Sequence, residues 1–253
     1  AEVEVGRDSA NVPHIFGANE ADVYVGLGYA HARDRLWQMT MLRRTVQGRL
    51  SELFGDRTIQ TDALLRRLDL YNLAVQSVKA QDASTRAALQ AYADGVNARL
   101  RQVNEDALGR GAPELFLFSN RIAPWQPADS VAVIKLMALQ LSGQIPTEVL
   151  RARASPTLDQ DRIRHILPDM PGTGVAALPE YATLIPGVKP NIRTASLPRD
   201  PLNPANPRAF AGASNGWAAA PNRSASGGTL LANDPHLGFT APTIWYLARL
   251  ELA

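Results

Sequence analysis

Nine of the chain's 18 prolines fall between residues 166 and 213, seven of them in the runs MPGTG, LIPGVKPN and LPRDPLNPANP. Proline has no N–H and a fixed φ, so such a stretch builds neither helix nor central strand. It reads as a linker, a surface wrap or a removable spacer. The fold must therefore be built from residues 1–165 on one side and 214–253 on the other. The two sides are written in different grammars.

The front side is helical. Residues 2–5, Glu-Val-Glu-Val, alternate as a short half-buried strand does. From 20 to 55, Leu36, Met39, Leu42, Val46, Leu50 and Leu53 recur at steps of three and four, which predicts one helix stopped by Gly55. Leu89, Tyr92, Ala93, Val96, Leu100 and Val103 repeat the pattern over 84–104, with Ser84 as N-cap. A third helix is expected from Ser130 to Leu141, capped by Asp129. All three stripes read as core-facing packing.

After Gly212 the pattern turns to β. SNGWAAAP and GGTLLAND are strand segments, with the turn-rich NRSASGG between them. From Thr243 to the end, Ile244, Tyr246, Ala248, Leu250 and Leu252 alternate with their neighbours, predicting a longer strand. Three such strands make a poor independent sheet. The expectation is that this is the front part of a longer polypeptide.

Composition narrows the function. There is no cysteine, which removes disulfides, thiolate metal sites and cysteine nucleophiles. The net charge is +2, and the basic residues are spread without a run, leaving no nucleic-acid footprint. No apolar run approaches the ~18–20 residues that span a bilayer. The start, AEVEV, is polar and alternating, so a signal peptide is expected to be already removed or never present. His14, His31 and His165 lack metal-ligand spacing and read as structural or exposed.

Ser214 poses the chemical question, since a serine hydroxyl needs a base to become a nucleophile. One candidate base is His236, 22 residues on, with Asp234 beside it. Asp234-Pro235-His236 is too stiff and local for that carboxylate to hold the imidazole, and the chain order matches no familiar triad. The other candidate is Ser214's own α-amine, freed if the Ala213–Ser214 bond is cut. Its reference pKa of about 7.7–8.0 suits a general base at neutral pH. Ala211, Gly212 and Ala213 are small enough to fold sharply there. On these residues alone both readings stand beside a third, a loop leading into a strand.

Several segments carry a family likeness along nearly the whole chain. They are RDSANVPHIFGAN at 7–19, GLGYAHARDRLWQMTMLRRTVQGRLSELFG at 26–55, AYADGVNA at 91–98, PWQPADSVAV at 124–133, SNGW at 214–217 and LLANDPHLGF at 230–239. In this order and spacing the chain resembles the front of a precursor of the penicillin acylase family, the N-terminal-nucleophile amide hydrolases. The resemblance implies an α+β fold, layered αββα in the complete protein, of which this chain supplies mostly the helical part and the first strands. It implies a helix-rich small chain over 1–165, the spacer at 166–213, and the truncated start of a large β-rich chain at 214–253.

The same likeness implies roles for residues. Ser214 matches the nucleophile exposed by self-cleavage after Ala213. His236 matches a position whose backbone N–H helps form the oxyanion hole. Asn215 and Trp217 match residues that position the new N-terminus, with strand packing as the plainer reading of Trp217. Met137, Leu141 and Leu237 match acyl-pocket positions. Glu148 matches one ligand of a structural calcium shared between chains; no cofactor is implied for the chemistry. The partners implied are a small N-acyl amide and the remainder of the large chain, in the periplasm or outside the cell. Leu237 in place of an aromatic ring, with His at 236, leans toward aliphatic or broader acyl groups, including acyl-homoserine lactones. Two other readings stay open: a Ser214–His236 hydrolase without self-cleavage, and a non-catalytic, uncleaved precursor fragment.

Overall fold

The computed structural model describes residues 3–105, 111–117, 122–142, 144–167, 214–237 and 240–252, with the backbone alone at 116, 142 and 144–148. All of the proline-rich stretch beyond residue 167 lies outside them, as does Ala213. The fold is α+β, rich in helix with a few short strands. Two compact units divide it: 1–136 with 208–253, and 137–207.

The first unit opens with a hairpin, β1 (Glu4–Arg7) and β2 (Pro13–Gly17), paired antiparallel. Asp8 closes the turn, its carboxylate accepting the N–H groups of Ala10 and Val12 at 2.9 Å each. β2 is a strand that the alternation test missed, because proline and histidine break up its apolar pattern. Ile15 on β2 is fully buried against Val23 and Ala30.

α1 (Glu20–Val46) follows, capped by Asn19, whose side chain accepts from Asp22 N–H. The sequence placed the stop at Gly55. The main helix ends earlier, where Gly48 takes a positive φ of 62°, and only a four-residue helix α2 (Ser51–Phe54) resumes before Gly55. A glycine in the left-handed region is a common helix terminator. Two helices that the sequence analysis did not predict come next, α3 (Ile59–Leu68) and α4 (Leu70–Ala80).

α5 (Ala83–Glu105) crosses α1 at glycine. A Cβ on Gly28 would stand 2.1 Å from the Tyr92 carbonyl oxygen. On the facing helix a Cβ on Gly95 would stand 1.9 Å from the Val25 carbonyl oxygen, so the backbones approach this closely only because neither glycine has a side chain. Leu36 and Met39 then pack against Ala93, Val96, Leu100 and Trp125. Asp82, not Ser84, caps α5: its carboxylate accepts from Thr85 N–H at 2.8 Å and from the Ser84 hydroxyl. After the short α6 (Glu114–Leu117), α7 (Pro127–Ser142) begins three residues before the expected Ser130. Proline is pre-set for the first turn of a helix. Asp129 accepts the Gln126 N–H from inside that turn.

The second unit holds the end of α7, α8 (Gln144–Ala154) and α9 (Gln160–Ile166). Asp159 caps α9 through the N–H of Arg162, and Arg151 reaches the Leu167 carbonyl at 2.9 Å.

The chain after residue 213 belongs to the first unit. β3 (Asn215–Ala219) and β4 (Leu230–Asp234) form the expected antiparallel pair. The long strand expected from Thr243 is only β5 (Arg249–Leu252), which pairs parallel to β2. Side chains of α1 take the carbonyls of Thr243 and Trp245, so these residues are fastened to a helix, not to a neighbouring strand. One three-stranded sheet, ordered β1-β2-β5, is thus stitched from both ends of the chain.

Candidate active site

The β3–β4 register places the proposed nucleophile. Asn215 pairs with Asp234, and Trp217 with Ala232. Ser214 immediately precedes β3 and His236 follows β4 by two residues, so both flank the Asn215–Asp234 end of the ladder, although 22 residues separate them. Ser214 and His236 are both exposed, and Leu237 is half-buried.

The Asp234 carboxylate, expected to be too local to hold the His236 imidazole, lies 3.5 Å from its Nε2. That distance is longer than a hydrogen bond, and both side chains stand open to water, where such a pair contributes little.

The faces of this ladder are bare. Trp217 is 60% exposed and Leu231 81%. The packing reading of Trp217 is thus not realised among the described residues. Asn215 is exposed as well. Met137, half-buried, and Leu141, 55% exposed, share one face of α7 as i, i+4 neighbours in the second unit. Glu148 lies within α8, its side chain outside the described residues. Among the described residues no three His, Asp or Glu side chains gather as a metal site. Calcium takes 6–8 oxygens, so Glu148 could give no more than part of such a site.

A polar cluster that the sequence reading passed over joins α1 to the chain downstream of Ser214. The Tyr246 hydroxyl donates to Asp34 at 2.6 Å, and Arg7 grips the same carboxylate with two bonds of 2.8 and 2.9 Å. His31 Nδ1 lies 2.7 Å from the Tyr92 hydroxyl, and the His31 ring meets Tyr246 edge-on at 4.3 Å. Burial pushes the His31 pKa down to about 4, against the attraction of Asp34. Burial and the Asp34 charge both raise Tyr246. The signal was present in GYAHARDRLWQ: His31, Asp34, Arg35 and Gln38 sit at helical spacing on one face, a polar stripe beside the apolar one.

A separate cavity of about 290 Å³ opens beside Arg43, Tyr71 and Asp129, and shares no lining residue with the Ser214 ladder.

The sequence profile of the penicillin amidase family matches residues 2–253. The chain belongs to this family. It is 34% identical over 259 residues to the penicillin acylase 2 proenzyme of Pseudomonas sp. strain SE83, covering 97% of this chain and 31% of that protein. It is 31% identical to the acyl-homoserine lactone acylase QuiP of Pseudomonas fluorescens strain Pf0-1, over 98% of this chain and 30% of that one. This penicillin amidase chain thus spans about a third of the length of these curated relatives. Among solved structures it is similar to the thermostable penicillin G acylase of Alcaligenes faecalis, at 28% identity and a TM-score of 0.55, covering 70% of this chain and 98% of that one.

No described helix is long and apolar enough to cross a membrane.

Proposed function

We propose that the complete protein is an amide hydrolase of N-terminal-nucleophile type, layered αββα, that removes the N-acyl side chain of a β-lactam or a related N-acyl compound. The observation that supports this reading best is that exposed Ser214 immediately precedes β3 and His236 follows the paired strand β4 by two residues. Membership of the penicillin amidase family and the relative named as a proenzyme support it.

The chain is cut between Ala213 and Ser214. The new α-amine takes the proton of the Ser214 hydroxyl as its oxygen attacks the amide carbonyl. The tetrahedral oxyanion is held by the backbone N–H of His236 and by donors from the rest of the protein; one such donor is typically worth about 3 kcal/mol of barrier. The amine leaves with the proton, and water releases the acyl group from the serine ester. Asn215 and Trp217 hold the new N-terminus. Met137, Leu141 and Leu237 contribute to the acyl pocket. Glu148 contributes to a structural calcium site completed by acids elsewhere in the protein. The protein works in the periplasm or outside the cell. A second reading, an acyl-homoserine lactone acylase, is favoured by the similarity to QuiP and by Leu237.

Mass spectrometry of the full-length protein tests the scheme: a chain beginning at Ser214 is expected. An intact polypeptide with full activity supports a Ser214–His236 hydrolase instead. An intact polypeptide that neither hydrolyses amides nor forms an acyl adduct supports a non-catalytic precursor. A panel of phenylacetyl, phenoxyacetyl, glutaryl and long aliphatic amides, with acyl-homoserine lactones, separates the two acylase readings.

A further inference from the structure

Two features fasten the chain downstream of Ser214 to the helices. β5 adds to β2 as a parallel strand. Before it, Arg35 Nη1 donates to the Thr243 carbonyl at 2.8 Å and Nη2 to the Trp245 carbonyl at 3.4 Å. Gln38 adds a third bond, to Thr243 at 3.3 Å. The Arg35 guanidinium also lies over the Tyr246 ring, 5.7 Å from its centre, and Tyr246 is bonded to Asp34.

Arg35 is built for this task. It is the one residue inside α1 with non-helical angles, φ −133° and ψ 18°. Main-chain carbonyls carry no sequence information, so the grip holds the path of the chain and Tyr246 sets its register.

We propose that Asp34, Arg35 and Gln38 form a clasp on α1 that captures residues 243–246. This clasp holds the helical chain and the nucleophile-bearing chain together once the proline-rich segment is cut. The role in the mature enzyme rests on the cleavage proposed above; the clasp itself does not. It joins segments 208 residues apart, on either side of the spacer, and so becomes an interface between two chains when the spacer is opened.

The test imposes the cut from outside. The full-length protein carries S214A, to block self-cleavage, and a site-specific protease sequence inserted within 166–213. After nicking, the affinity of the two pieces is measured by size-exclusion chromatography across a urea series. The parent is expected to elute as one complex. R35A, which removes charge-assisted bonds, is expected to raise the Kd of the pieces about tenfold or more. Y246F, which removes only the hydroxyl on Asp34, is expected to raise it by a smaller factor. Nicked R35A and Y246F proteins that separate at the same urea concentration as the nicked parent overturn the proposal. Should R35A fail to fold, Y246F decides alone. Because the nick is enzymatic, failure of self-cleavage in the unmodified protein would overturn the functional reading without touching this result.

Discussion

The Asp234 carboxylate lies 3.5 Å from His236 Nε2, and both side chains are open to solvent. An orienting carboxylate in a working triad is buried and hydrogen-bonded to its imidazole. This pair has neither property. His236 is therefore expected to act through its backbone N–H, which survives substitution. In the full-length protein, His236→Ala should lower kcat/KM less than tenfold, and Asp234→Ala should do no more. A base role for the imidazole demands a fall on the order of 10⁴-fold. Steady-state hydrolysis of an N-acyl amide at pH 7 separates the two.

His31 gives the fold an acid-sensitive point. It is held between Tyr92 of α5, the Tyr246 ring, Asp34 and Arg35, and burial lowers its pKa to about 4. An unfolded histidine titrates near 6.5. Between these values the unfolded state binds the proton and the folded state does not. His31 thus contributes fully above about pH 6.5, and the contribution is lost as pH falls toward 4, by up to about 3 kcal/mol. Urea midpoints at pH 7 and pH 4.5 check this. The parent should lose more stability on acidification than His31→Gln, which has no group to titrate. Equal losses would show that other groups set the acid limit.

The sequence spoke clearly where local chemistry decides the outcome. The apolar stripes of α1 and α5 and the strand–turn–strand around NRSASGG needed only periodicity and turn residues. Ser214 and His236 were chosen from the sequence, and they flank the same end of the β3–β4 ladder. Long-range capture was silent. Residues 243–248 alternate as a strand should, yet Arg35 and Gln38, some 200 residues earlier, take carbonyls of Thr243 and Trp245. β2 was hidden by Pro13 and His14, and α1 ended early because Gly48, not Gly55, met the backbone geometry first. The polar stripe of His31, Asp34, Arg35 and Gln38 was readable, but its partner Tyr246 was not.

The α1–α5 crossing should tolerate no side chain. A Cβ on Gly95 would lie 1.9 Å from the Val25 carbonyl oxygen, a backbone atom that cannot step aside. Gly95→Ala must therefore push the helices apart and open the core around Ala93 and Val96. Overpacking in cores typically costs about 1–3 kcal/mol, and a rigid backbone obstacle belongs at or above the top of that range. Alanine favours the helix by about 1 kcal/mol over glycine, which offsets only part. Urea denaturation should show a net loss of at least about 2 kcal/mol. Gly55→Ala meets no neighbour, although its positive φ adds strain, and should cost less.

Asp129 is a buried charge with three hydrogen-bond donors around it, and its removal should be strongly destabilising. It is 1% exposed. It receives the Tyr71 hydroxyl at 2.9 Å, the Gln126 N–H at 2.7 Å and Arg43 at 3.4 Å. Arg43, also buried, has its pKa pushed down by desolvation more than Asp129 restores it. Asp129→Ala leaves that guanidinium without its counter-charge, held by the carbonyls of Ala123 and Pro124 and lying over the Trp125 ring. Breaking a buried pair from one side costs about 3–5 kcal/mol. Asp129→Asn keeps one acceptor oxygen, enough for Tyr71 or for Gln126 but not both, and should cost less than the alanine change. The double variant Arg43→Met, Asp129→Leu removes both charges and should cost less than the two single changes added together. Urea midpoints of the single and double variants measure the coupling, and strict additivity would mean that the pair at 3.4 Å contributes nothing of its own.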